Sequence, residues 1–212
     1  MLVKLRQPVA KAVIVGASSG IGKSVARQLA EEGFAVGLLA RRVGRLSQIC
    51  TELESCGSSV VYRQLDIRDL GSVEFILTDL LQGLGGADLF FICAETGDLN
   101  DSLDFAIERK TIETNVLGFT CVVDFTVNFL LKQGYGRLVI ISSITALRGG
   151  WRAPANGASK AYVSNYAEAL RIKFCKSGLP VFLIDVRSGF VDTRMAKGEK
   201  NFWMALTEKA AK

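Results

Sequence analysis

Three glycines, Gly16, Gly20 and Gly22, follow the apolar run Ala12–Val15 and precede a stretch with helical spacing, Val25, Leu29 and Ala30 falling on one face. A strand, a glycine turn and a helix N-terminus together make a place for an anion: unpaired N–H groups face it, and missing side chains let it approach the backbone. Ser18, Ser19 and Ile21 complete the turn. Three chemistries compete for it. The glycine spacing G-x-x-x-G-x-G suits a dinucleotide pyrophosphate. Ala17-x4-Gly22-Lys23-Ser24 is a loose phosphate-binding loop with alanine for its first glycine. Gly16-Ala17-Ser18-Ser19-Gly20 fits the G-x-S-x-G nucleophile elbow. The elbow is excluded because the chain contains no histidine, so a Ser-His-acid triad cannot be built.

Further reactive side chains follow later apolar runs. Arg41-Arg42 comes directly after Leu39-Ala40, where an NAD-binding domain carries an acid for the ribose 2′-hydroxyl. Two guanidinium groups and no acid favour a 2′-phosphate, and hence NADP. Asp66-Ile67 ends the third run. Asp66 accepts from an adenine amino group, or is a loop aspartate or a helix cap near Asp69 and Ser72. No metal site is expected: the five cysteines form no C-x-x-C pair and no histidine accompanies them.

The elements that must hold these residues are legible as an alternation. Strands are predicted at Lys11–Val15, Ala35–Ala40, Ser59–Leu65, Asp88–Cys93, Arg137–Ser142 and Val181–Val186. Helices are predicted at Gly22–Glu32, Gly44–Ser55, Ser72–Leu84, within Leu103–Lys132, and at Asn156–Lys176. This βα repeat implies one α/β domain with a Rossmann-like, doubly wound parallel sheet, whose ligand lies outside the carboxyl ends of the strands. The 212 residues suffice for one such core, and no linker divides them. A net charge of +5 is spread along the chain without a Lys/Arg tract, so no nucleic-acid partner is expected. Met1–Pro8 is too short and polar for a signal peptide, and no apolar run reaches the about 18 residues of a membrane span. An odd number of cysteines in apolar contexts suggests reduced, buried thiols in a cytoplasmic protein.

Taken in order, Gly16-x3-Gly20-x-Gly22, Leu65-Asp66, Asn115, Ser142-Ser143, Gly157-Ala158-Ser159-Lys160 and Gly189-Phe190-Val191-Asp192-Thr193 resemble the short-chain dehydrogenase/reductase family over nearly the whole chain. The resemblance implies a nicotinamide cofactor, reversible carbonyl/alcohol chemistry on a small molecule, and a site built from Asn, Ser, Tyr and Lys. It assigns Asn115 to a helix bend on a proton-relay path and Ser143 to the reacting oxygen. Lys160 would hold the nicotinamide ribose and lower the pKa of a neighbouring tyrosine. It also places Ala94, Gly189, Val191 and Thr193 along the cofactor.

Three departures qualify it. The tyrosine, due four residues before Lys160 and thirteen after Ser143, is Asn156. An amide can hydrogen-bond but cannot deliver a proton near neutral pH. Glu95 replaces the glycine of the family's Asn-Asn-Ala-Gly, where a carboxylate crowds the cofactor. Pro-Gly after the sixth strand is Ser188-Gly189, and the family's last strand is expected to be lacking. Tyr162 and Tyr166 are poorly placed to substitute, the first facing elsewhere and the second six residues beyond Lys160. The expectation is therefore an NADP(H)-dependent oxidoreductase with impaired turnover, or a catalytically inactive NADP(H) binder of the same fold. The apolar Val116–Val123 and Ala158–Leu170 predict a homodimer or homotetramer, and residues 194–212 a substrate lid or an interface.

Overall fold

The computed structural model of the protein describes residues 9–189 and 206–210. Six parallel strands form one sheet: β1 Lys11–Val15, β2 Ala35–Ala40, β3 Val60–Gln64, β4 Leu89–Ile92, β5 Gly136–Ser143 and β6 Val181–Ser188, in the order β3-β2-β1-β4-β5-β6. Between them run α1 Gly20–Glu31, α2 Val43–Ser55, α3 Leu70–Leu84, α4 Phe105–Ile112, α5 Phe119–Gln133 and α6 Pro154–Ser177, with a short α7 at Thr207–Ala210. All six predicted strands and all five predicted helical stretches are present, with ends moved by one or two residues.

The central strands read as continuous apolar runs because both faces are covered. On one face, Ile14, Val36 and Leu38 meet Val25, Ala26, Leu46 and Ile49 of α1 and α2. On the other, Val13, Leu39, Phe90, Leu138 and Ile140 meet Leu77 and Leu80 of α3, Val122 of α5, and Val163 and Ala167 of α6. At the β6 edge one face closes and the other does not: Val181 and Leu183 are buried, whereas Phe182, Ile184 and Val186 are exposed.

The strand order reverses between β1 and β4, which sets the crevice there. Gly16 turns the chain out of β1 with φ +96°, and a Cβ on it would lie 2.6 Å from the Ala94 backbone nitrogen. A Cβ on Gly22 would lie 2.5 Å from the Gly16 carbonyl oxygen. No side chain fits at either position, so the glycine spacing here is a packing requirement as well as a ligand signal.

The long predicted helix is interrupted. Glu113–Gly118 forms a π-helical turn between α4 and α5, with Asn115 buried in it. The combined stretch Phe105–Gln133 contains an 18-residue window, of mean hydropathy 1.5, long and apolar enough to span a membrane by length and composition. Half of that window is buried against the rest of the protein. Its apolarity serves the sheet, through Phe119, Val122, Val123, Val127 and Leu130.

The cysteines correct one expectation. All five are free, but Cys56 and Cys175 are exposed; only Cys50 is buried, and Cys93 and Cys121 are partly so. An apolar sequence neighbourhood does not fix which helix face a residue occupies.

Candidate active site

A groove of about 280 Å³ opens at the carboxyl ends of β1 to β5. The turn residues Gly16, Ser18, Ser19, Gly20, Ile21 and Gly22 form its floor. Ser19 is the N-cap of α1 but makes no capping hydrogen bond, and no acid stands in the first turn. The end of a 12-residue helix therefore meets the groove with its positive pole uncompensated. Arg41, Arg42, Asp66, Ile67 and Ala94 line the walls, as the sequence predicted; Thr114 and Ile141, which sequence reasoning did not single out as ligand contacts, join them.

Arg42 is clasped to this floor. Its Nε donates to Ser18 Oγ at 3.1 Å, and its Nη2 donates to Ser18 Oγ at 2.8 Å and to Ser19 Oγ at 2.6 Å. These bonds draw the guanidinium from the end of β2 over the start of α1, so helix pole and cation face one volume. Asp66 is engaged within its own turn. Arg68 grips it from two residues on, Nε at 3.0 Å and Nη2 at 2.6 Å, and the Arg68 backbone N–H donates to it at 3.1 Å. The Arg68 guanidinium holds the Asp66 carboxyl below its ordinary range, and an adenine amino group would compete with it for lone pairs. An i, i+2 pair across a turn has no periodic signature, which is why the sequence did not disclose it.

Asn115, Ser143, Asn156 and Lys160 are not among the residues that line this groove. Asn115 ties the loop after β4 to the π-helical turn: its Oδ1 accepts the Thr96 N–H at 2.9 Å, and its Nδ2 donates to the Thr96 carbonyl at 2.7 Å and to Ser159 Oγ at 3.0 Å. The helix irregularity expected of Asn115 is present, with the amide making three bonds to its surroundings. Ser143 ends β5 and caps the following 3-10 turn by accepting the Thr145 N–H at 3.2 Å.

Helix α6 carries Asn156 and Lys160 one turn apart. Pro154 opens it, and its N-cap, Ala153, has no side chain to satisfy the first N–H groups. Glu108 on α4 does so instead, accepting the Ala155 N–H at 2.9 Å, while its other oxygen accepts from Asn100 Nδ2 at 2.5 Å. Asn156 lies against the loop after β4: a Cβ on Gly97 would come within 2.9 Å of its amide. Its buried Oδ1 has no hydrogen-bond partner.

Lys160 is 6% exposed, and its Nζ donates to the Glu95 carboxylate and to the Ile141 carbonyl at 3.3 Å. Burial pulls the ammonium down from 10.5 to about 8. Beside it, burial pushes the Cys93 thiol up to about 12, so Cys93 is a neutral filler and not a nucleophile. A second buried carboxylate, Asp185 on β6, is satisfied by Ser142 Oγ at 2.5 Å, Ser164 Oγ at 3.0 Å and Arg187 Nε at 3.1 Å. Glu95 lines the groove, whereas Lys160, Ser143 and Asn156 are not part of that lining. The carboxylate thus stands between the groove and the lysine.

Neither tyrosine replaces the missing phenol. Tyr162 and Tyr166 stack on each other, their hydroxyls engaged with Thr120 at 2.8 Å and with Asp124 at 2.5 Å. Burial first, and then the Asp124 carboxylate, hold the Tyr166 phenol far above its ordinary range. Gly189 follows β6 and is not among the groove's lining residues. Val191, Thr193 and most of the expected lid at 194–212 lie outside the described residues.

Residues 10–202 match the short chain dehydrogenase family. The chain is similar to an uncharacterized oxidoreductase of Mycobacterium tuberculosis, 31% identical over 192 residues covering 87% of this chain and 74% of that one. Among solved structures it is similar to a phenylalanine-to-tryptophan variant of actinorhodin polyketide ketoreductase with NADPH, at 28% identity and TM-score 0.82, covering 95% of this chain and 80% of that one. It is also similar to an alcohol dehydrogenase from the archaeon Thermococcus sibiricus complexed with 5-hydroxy-NADP, at 26% identity and TM-score 0.84, covering 96% and 87%. The six-stranded parallel sheet and the family match over residues 10–202 agree: the chain belongs to the short chain dehydrogenase family of oxidoreductases.

Proposed function

We propose that the protein binds NADP(H) and retains the family's carbonyl/alcohol interconversion only at a strongly reduced rate. The observation that carries the cofactor choice is the Arg42 clasp on Ser18 and Ser19 at the groove floor, with no acid after β2 to favour a 2′-hydroxyl. Similarity to solved proteins described with NADPH and with 5-hydroxy-NADP supports the same choice. This end of the site fits a phosphorylated adenosine. The other end does not fit as built, because the lysine that would meet the nicotinamide ribose already holds Glu95.

The bound nicotinamide supplies or takes up the hydride; the chain's part is to place and protonate the oxygen. Ser143 offers a hydroxyl at the sheet edge. Asn156 offers an amide, which cannot give up a proton. A positioned general acid contributes about 10²–10⁴-fold, so its loss leaves little of the catalysed rate. A catalytically inactive NADP(H) binder is the alternative, and Glu95 is the observation that favours it. The thiols suit a cytoplasmic setting. Self-association is part of the proposal, since Phe105, Ile112 and Leu117 on the α4–α5 stretch are exposed. Light scattering at micromolar concentration should therefore return a dimer or a tetramer; a monomer contradicts it.

NADPH should bind more tightly than NADH, by about 1.5–3 kcal/mol if the charge-assisted bonds to Arg42 are fully formed. Arg42→Ala should remove most of that difference while leaving NADH affinity nearly unchanged. Fluorescence titration of both cofactors reads this, and equal affinities in the parent would sink the cofactor assignment. For turnover, Asn156→Tyr restores a phenol one turn before Lys160 but leaves Glu95 on the ammonium. The double variant Glu95→Gly/Asn156→Tyr should raise NADPH-dependent reduction of a ketone and aldehyde panel at least about tenfold over the parent, within what a restored acid supplies. A parent that already turns over at a rate the double variant cannot exceed would contradict the assignment of Asn156 as the defect.

A further inference from the structure

In a doubly wound sheet a dinucleotide straddles the crevice where the strand order reverses, one half on each side. Here that crevice lies between β1 and β4. The half on the β1–β2–β3 side is open: it holds the glycine turn, the α1 N-terminus, Arg41 and Arg42. On the β4–β5 side the groove is lined by Cys93, Ala94, Glu95, Thr114 and Ile141, and Lys160 is not among the lining. The Glu95 carboxylate lines the groove and reaches behind to Lys160, whose ammonium has almost no exposure.

Opening the far half requires parting Glu95 from Lys160. The lysine would then be a buried ammonium whose remaining bond is to the Ile141 carbonyl at 3.3 Å. Ribose hydroxyls are neutral, so the exchange gives up the charge of Glu95 and leaves Asp185 as the carboxylate acting on the ammonium. The loop carrying Glu95 is also held, since Asn115 binds both the N–H and the carbonyl of Thr96, and Asn156 packs on Gly97. Three contacts therefore keep the carboxylate in place at the crevice.

Resting on the NADP(H) reading, we propose that Glu95 is the residue that sets ligand specificity. It closes the nicotinamide half of the crevice, so the protein recognises 2′-phosphorylated adenine nucleotides through their adenosine end. While Glu95 stays on Lys160, a bound NADPH gains nothing from its dihydronicotinamide, and the residual turnover proceeds only in the minor population in which the pair has parted. The ligand class is thus nucleoside 2′,5′-bisphosphates and molecules that carry them, bound at the glycine turn and Arg42.

Isothermal titration of the full chain with 2′,5′-ADP and with NADPH tests this. The two should bind within about threefold of each other in the parent, and the emission of bound dihydronicotinamide should match that of free NADPH. In Glu95→Gly, NADPH should gain about tenfold or more and its emission should shift, while 2′,5′-ADP changes by less than about twofold. Retained 2′,5′-ADP binding shows that the variant is folded. Glu95→Gln, which keeps a hydrogen-bonding group but not the charge, should fall between parent and Glu95→Gly. The outcomes separate two failures. If 2′,5′-ADP does not bind at millimolar concentration, the NADP(H) reading itself falls. If 2′,5′-ADP binds but parental NADPH binds about tenfold or more tightly, with shifted emission, the Glu95 proposal is overturned and the NADP(H) reading stands. Should Glu95→Gly fail to fold, the parental ratio and emission alone decide.

Discussion

A lysine ammonium buried to 6% exposure must have an anion, and in this protein the anion is Glu95. The requirement organises one end of the molecule. It pins the loop after β4 to α6, brings Asn156 against Gly97, and seals Lys160 from the groove. The supporting bonds come from every neighbouring element. Asn115 in the π-helical turn holds Thr96, Ser159 on α6 holds Asn115, and Glu108 on α4 caps α6. The helix irregularity and the out-of-register cap are thus parts of one scaffold that fixes where the ammonium sits.

The other end of the crevice follows a separate logic. Gly16 and Gly22 allow β1, the loop after β4 and α1 to meet at contact distance, and that closeness aims the α1 N-terminus at the groove. Arg42 adds a cation without leaving its serine partners. This half needs nothing from Glu95 or Lys160, so the family's anion-binding half can persist while its catalytic half changes. In one sheet, recognition and chemistry are carried by different strands, and here only the second set departs from the family.

Much of this was legible in the chain. The apolar runs that became β1 to β6, the glycine turn and Arg41-Arg42 are local patterns, and each is expressed where its spacing indicates. Asn156 was visible as a departure because Ser143 and Lys160 frame it at the family's spacing, and Glu95 because it stands where the family's Asn-Asn-Ala-Gly run ends. What the sequence did not disclose were relations between distant or aperiodic positions. The grip of Arg68 on Asp66 depends on the geometry of one turn, and the cap from Glu108 spans two helices. That Glu95 is Lys160's partner, and not only an obstacle to phosphate, depends on the sheet bringing two residues 65 positions apart together. Exposure of Cys56 and Cys175 was likewise a matter of helix face, which apolar neighbours do not determine.

The pairing of Glu95 with Lys160 is open to direct measurement by a double-mutant cycle in urea, using Glu95→Gln, Lys160→Met and the double variant. Glu95→Gln strands a buried ammonium and should cost about 3–5 kcal/mol, and the double variant should recover much of that loss, giving a coupling of about 2 kcal/mol or more. Additive losses, with a coupling inside about 0.5 kcal/mol, would show that the two side chains do not depend on each other and would contradict the account.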